Sequence, residues 1–160
     1  ASRVAVMDEG RLVQVSTPDQ IYEYPNSVYV ADFIGDVNII EGHASKAGDG
    51  YDIVYAEGQP KLHAKTQTDL GGSTKCYLAV RPEKVAISAD RPENAGNAVQ
   101  GKILDIAYLG NLSTYHVELP NGQVIKAQAA NTRRLARRSF TWEDDVWVSW
   151  TDTAGVVLGQ

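Results

Sequence analysis

Hydrophobic positions in the first 35 residues follow two different periods. Val4 and Val6 fall on one strand face and Val13 and Val15 on one face of the next, with Asp8-Glu9-Gly10 between them; this spacing predicts a β-hairpin in which Gly10 takes a positive φ. Two strands bury too little to stand alone, so the hairpin needs a larger body. The period then becomes helical. Thr17-Pro18-Asp19-Gln20 puts a hydroxyl at an N-cap, a proline at the first helical position and an acid and an amide in the first turn. That helix is predicted to stop at Tyr24, because Pro25 disfavours helical geometry in the residue before it. Asn26-Ser27 starts a second short helix, with Val30, Phe33 and Ile34 at three- and four-residue spacing before Gly35 ends it.

From residue 36 onwards short alternating runs replace the helical period. Residues 39–43, 51–55 and 61–63 read as strands separated by Gly48, Gly50, Gly58 and Pro60, and 76–80 and 85–88 follow, bent around Arg81-Pro82. Residues 89–97 are polar and read as a loop. Further strands are predicted over 99–109, 114–119, 124–127, 146–150 and 155–158, with Asn121-Gly122 a strong two-residue turn. The division expected is a first β segment at 36–97 and a second at 98–160, the latter suiting a five-stranded Greek-key barrel of OB type. Closing a barrel also disposes of exposed strand edges. No internal repeat is evident in the letters, although the two β segments could be related folds.

Composition narrows the choices. At 160 residues and 43% hydrophobic, the chain can bury one substantial core or two small ones. No apolar run reaches membrane-spanning length and no secretory signal pattern occurs. A net charge of -5 gives no general attraction to nucleic acid or anionic lipid. The single cysteine, Cys76, excludes an internal disulfide and lies in an apolar strand, where a buried inert thiol is expected.

Chemistry is sparse. No GxxxxGK[ST] loop is present, so the amides and lysine that cradle ATP phosphates are missing and this chain is expected to be no enzyme. His43, His63 and His116 match no metal-ligand spacing, and no metal or other cofactor is expected. Glu143-Asp144-Asp145 reads as a solvated connection. The basic run 133–138, with Trp142, Trp147 and Trp150 nearby, fits either a connection beside core or interface tryptophans or the groove of a single-strand-binding OB module. The acidic chain as a whole favours the first, so no nucleic-acid partner is expected. In Arg81-Pro82-Glu83 an arginine and a carboxylate flank a rigid residue and can form a hydrogen-bonded pair that fixes the bend between strands. Gly110, Asn111, Ser113 and Thr114 could offer donors to an anion, or form an ordinary turn.

Taken together, the run Arg3-Val4-Ala5-Val6-Met7, Gly10-Arg11, Gln14, Thr17-Pro18, Ile21-Tyr22-Glu23, Pro25, then Val30-Ala31-Asp32-Phe33-Ile34-Gly35 and Asn38 resembles the end of the nucleotide-binding domain in ATPase subunits of ABC importers. Val80-Arg81-Pro82-Glu83-Lys84-Val85 and Tyr108-Leu109-Gly110-Asn111 resemble motifs of the transport-associated OB, or TOBE, domain that follows it in that family. Ser2 and Ser16 depart from the family pattern, which commonly has aspartate and glycine there. The resemblance implies a mainly β fold: an OB-like Greek-key barrel over 36–160 behind a short α/β remnant of a nucleotide-binding domain at 1–35. It also implies that the chain, which opens inside a strand without an initiator methionine, is cut from a longer polypeptide that binds ATP and Mg. The implied role is a regulatory and dimerisation region with a homodimeric partner, and with permease subunits and a periplasmic binding protein as partners of the parent. The implied place is the cytoplasmic side of the inner membrane. Arg81, Glu83, Trp147 and Trp150 are the candidate interdomain or dimer contacts, and Gly110, Asn111, Ser113 and Thr114 the candidate anion-binding turn of an alternative, oxyanion-sensing reading. Leu109 to Ser113 with Tyr115-His116-Val117 looks most like the putrescine and spermidine importers.

Overall fold

The hairpin forms as β1 (Val4–Asp8) and β2 (Arg11–Ser16) in the computed structural model, which describes residues 2–66, 70, 74–93, 95–130 and 141–159. Glu9 and Gly10 both take positive φ, 51° and 78°, the pair of left-handed residues that a tight two-residue hairpin turn demands. Two short helices follow, α1 (Pro18–Glu23) and α2 (Val28–Ile34), each begun by a hydroxyl cap. Thr17 Oγ1 accepts from Gln20 N at 3.3 Å and Ser27 Oγ from Val30 N at 3.2 Å. Val6, Ile21 and Val30 are buried together, flanked by Val4, Val13 and Ile34, so residues up to 34 have a small core of their own.

Among the described residues the elements that follow are strands: β3 (Asn38–Ala47), β4 (Gly50–Val54), β5 (Leu62–Lys65), β6 (Lys75–Val80), β7 (Ala86–Ser88), β8 (Asn97–Leu109), β9 (Leu112–Glu118), β10 (Val124–Ala130), β11 (Asp145–Trp150) and β12 (Gly155–Leu158), with a 3-10 turn at Pro82–Lys84. They make two five-stranded antiparallel sheets of order β5-β4-β3-β6-β12 and β10-β9-β8-β11-β7, whose inner faces share one hydrophobic core. The architecture is mainly β and OB-like.

The two orders are the same order. Strands β3 to β6 of the first sheet correspond one by one to β8 to β11 of the second, and the fifth strands are exchanged: β7 follows β6 in sequence yet pairs with β11, while β12 follows β11 yet pairs with β6. The strands of 36–97 and 98–160 are therefore interlocked. Two residue pairs mark the repeat. Asn38 opens β3 and reaches across to β10, where its Nδ2 donates to Lys126 O at 2.9 Å and its Oδ1 accepts from Lys126 N at 2.8 Å. Asn97 opens β8 and holds β5 in the same way, its Nδ2 donating to His63 O at 2.9 Å and its Oδ1 accepting from His63 N at 2.7 Å. Four residues after each asparagine stands a glycine, Gly42 and Gly101, where a Cβ would lie 2.7 Å from the carbonyl oxygen of Val54 and Glu118 respectively. The repeat escapes the letters because a strand face asks only for an apolar class at alternate positions, so identities survive only where geometry is exacting.

Candidate functional site

Arg81 is the charged side chain on which the helical segment and the β body converge. It follows β6, directly before the 3-10 turn, and is 5% exposed. A charge this deep must be paired or fully hydrogen-bonded. Nη1 donates to the carbonyls of Ala31, Gly35 and Asp36 at 3.1, 3.1 and 3.0 Å, and Nη2 to Tyr22 O at 3.4 Å. These acceptors lie at the C-terminal end of α2 and within α1. The last carbonyls of a helix lack intrahelical donors and carry the negative end of its dipole, so a guanidinium supplies both hydrogen bonds and charge.

The plane of Arg81 also sits over the Tyr22 ring, 4.3 Å from its centroid. The Tyr22 hydroxyl donates to Glu83 Oε2. Burial first, then the hydrogen bond and negative charge of Glu83, push the Tyr22 phenol up to about 12, with Arg81 opposing in part. One residue further along each segment, Lys84 Nζ meets Glu23 Oε2 at 2.8 Å. An apolar contact completes the seam: Ala31 from α2 is buried with Ala79 and Leu158, beside Val28, Val37, Ile39, Tyr77 and Val156. A groove of about 780 Å³ runs along the same seam, between Glu23, Asn26 and the outer edge of β12, with Lys65 and Lys84 on its walls.

Arg81 and Glu83 thus diverge from a local pair; each spends its charge on the helical segment. Tyr22 and the α2 carbonyls are partners the sequence reading missed, although Ile21-Tyr22-Glu23 belongs to the run it singled out. Trp147 is half-buried under Arg91, whose guanidinium lies 5.4 Å from the ring centroid. Trp150 is 3% exposed inside the core that both β segments share, which corrects only the dimer half of its interdomain-or-dimer reading: strand alternation turns it inward with Val146 and Val148.

Gly110 and Asn111 form the exposed turn between β8 and β9, Gly110 at φ 73°. Ser113 and Thr114 are buried, and as neighbours on one strand their hydroxyls leave on opposite faces. The four residues are therefore not gathered around one point where an anion could sit. His63 lies half-buried between two carboxylates, Nδ1 2.8 Å from Asp52 Oδ1 and Nε2 3.7 Å from Asp49 Oδ1. Among the described residues no group of three His, Cys, Asp or Glu side chains could hold a metal ion. The basic run 133–138 lies outside the described residues.

Comparison with known proteins adds the family context. The TOBE domain family matches residues 78–158. The chain is 36% identical to the putrescine transport ATP-binding protein PotG of Escherichia coli K12, covering 99% of this chain and 42% of that protein. It is 35% identical to the spermidine/putrescine import ATP-binding protein PotA of Nitrosospira multiformis, over 99% of this chain and 44% of that protein, and 31% identical to PotA of Thermotoga maritima, over 94% and 42%. The match falls on the C-terminal part of such subunits, and the chain spans about two-fifths of their length. In fold it is similar to the cytoplasmic molybdate-binding protein ModG, with a TM-score of 0.65 at 17% identity over 75% of this chain and 94% of that one.

Proposed function

We propose, from the premise that this chain belongs to the TOBE domain family, that it is the regulatory and dimerisation region of an ABC importer ATPase subunit energising uptake of a small solute, a polyamine. The observation that carries this reading is the docking of residues 2–35 onto the duplicated barrels through Arg81. The family places ATP chemistry upstream of such a segment, and here the segment is bolted to the β body by a buried cation and a small apolar cluster. The chain itself, without a GxxxxGK[ST] loop, would leave ATP and Mg binding to the rest of the parent polypeptide.

The mechanism is mechanical. A contact between two regulatory regions that persists while the catalytic parts separate keeps those parts at high effective concentration for the next closure. A regulator could act only by preferring one arrangement of the pair over the other. Permease subunits and a periplasmic binding protein are the partners this role requires, at the cytoplasmic face of the inner membrane; no helix among the described residues is long and apolar enough to cross that membrane. Sedimentation equilibrium of the chain tests the reading directly. A reversible dimer is expected, and a strict monomer at the highest soluble concentration would overturn the dimerisation role.

A further inference from the structure

The repeat isolates Arg81. In the strand register Asn38 stands opposite Val80 and Asn97 opposite Trp150, so Arg81 and Thr151 occupy corresponding places at the start of corresponding turns. The turns close alike, Lys84 N donating to Arg81 O at 2.9 Å and Ala154 N to Thr151 O at 3.1 Å. A threonine suffices to build that turn. The arginine is therefore required by what only the first half has to hold, namely residues 2–35.

That segment is built as a separate body. Its hairpin pairs with neither five-stranded sheet, and its apolar core of Val6, Ile21 and Val30 is distinct from the shared core of the barrels. The covalent path to the barrels runs only through residues 35–37, and just beyond it Asn38 is clamped to β10. Holding the body in one orientation falls to the seam: the Arg81 fork on α2, the Tyr22 ring and hydroxyl, Lys84 on Glu23, and the Ala31 contact.

We infer that Arg81 is the positioning residue of a releasable latch, in which Tyr22 and Glu83 are the second arm, and that residues 2–35 undock about 35–37, with the short helices α1 and α2 loosening, when it opens. The inference deepens the coupling role proposed above and rests on it: the latch would set the angle at which motion of a catalytic domain reaches the regulatory barrels. Four carbonyls share one guanidinium, so they are released together, which favours two discrete states over gradual loosening.

Hydrogen exchange on the whole chain, with spin labels introduced by Asp32→Cys and Glu118→Cys, tests it. In Arg81→Ala, exchange in α1 and α2 is expected to rise by about tenfold or more while β3 to β12 keep their protection. The label-to-label distance distribution is expected to gain a second population. Arg81→Lys, which keeps the charge but loses the fork, should fall between the two. Tyr22→Phe and Glu83→Ala should each weaken the latch, and the double variant should be no worse than either single one, because they break the same bond. Unchanged exchange in α1 and α2, or a uniform rise through the barrels, would overturn the latch. If Arg81→Ala does not fold, the Tyr22 and Glu83 pair carries the test alone, since both side chains lie outside the shared core. Sedimentation of the same samples separates the two readings: a monomer with a working latch removes the dimerisation role only, and a dimer whose α1 and α2 ignore all these changes removes the latch only.

Discussion

Tyr22 keeps its proton because its charged form would be both poorly hydrated and pressed against Glu83. Its phenol is raised in the folded chain to about 12 from an ordinary value of 10.0. A group whose pKa is raised on folding stabilises fully below its unfolded value and loses that contribution as pH rises through the folded one. The stability advantage of the native chain over Tyr22→Phe should therefore be constant below about pH 10 and shrink as pH approaches 12, measured by denaturant unfolding at stepped pH. The two chains' tyrosinate absorbance titrations should differ by one late-ionising group. Cys76, fully buried in β6, has its thiol pushed up by burial alone. Thiol reagents should find it unreactive in the native chain and titrate one thiol on unfolding; rapid native labelling would contradict its burial.

At the scale of elements, the asparagine clamps and the paired glycines are what make two sheets one object. Asn38→Ala or Asn97→Ala removes two hydrogen bonds to the main chain of the opposite sheet, and each is expected to cost about 1–3 kcal/mol. Gly42→Ala and Gly101→Ala place a methyl against a carbonyl oxygen of the neighbouring strand, so the backbone must shift, at a cost of about 1–3 kcal/mol each. Chemical denaturation read at both corresponding sites checks the repeat itself: similar losses at 42 and 101 are the expected result.

These elements also show what a sequence can disclose. Caps at Thr17 and Ser27, the Gly10 turn and most strands are local, and local chemistry is printed in neighbouring letters. The partners of Arg81 are not, because Tyr22 lies 59 residues away in the chain and the α2 carbonyls carry no letter of their own. Trp150 was legible in one of the two places offered for it, core or interface: its alternation with Val146 and Val148 assigns it to the inner face, whereas Trp147 is assigned outward. The repeat was hidden for the opposite reason, since it survives mainly in Asn38 with Gly42 and Asn97 with Gly101, too few letters to stand out.

For the whole molecule, the exchange of β7 and β12 has a consequence for how it comes apart. Neither half can complete its sheet alone: residues up to 92 contain β7, whose partner β11 lies beyond them, and residues from 93 contain β12, whose partner β6 lies before them. Each half in isolation would also lose the face against which its core packs, because the buried residues of both sheets form a single cluster. The barrels should therefore unfold in one cooperative transition, with residues 2–35 free to lose structure earlier because their core is separate. Cutting the chain between Pro92 and Glu93 makes the point testable. The two fragments are expected to lack stable sheet structure alone and to regain it when mixed, with circular dichroism and the tryptophan fluorescence of Trp147 and Trp150 recovering together. A fragment that shows native-like sheet and cooperative melting by itself would mean that the halves are independent barrels and that the exchanged strands are not what binds them.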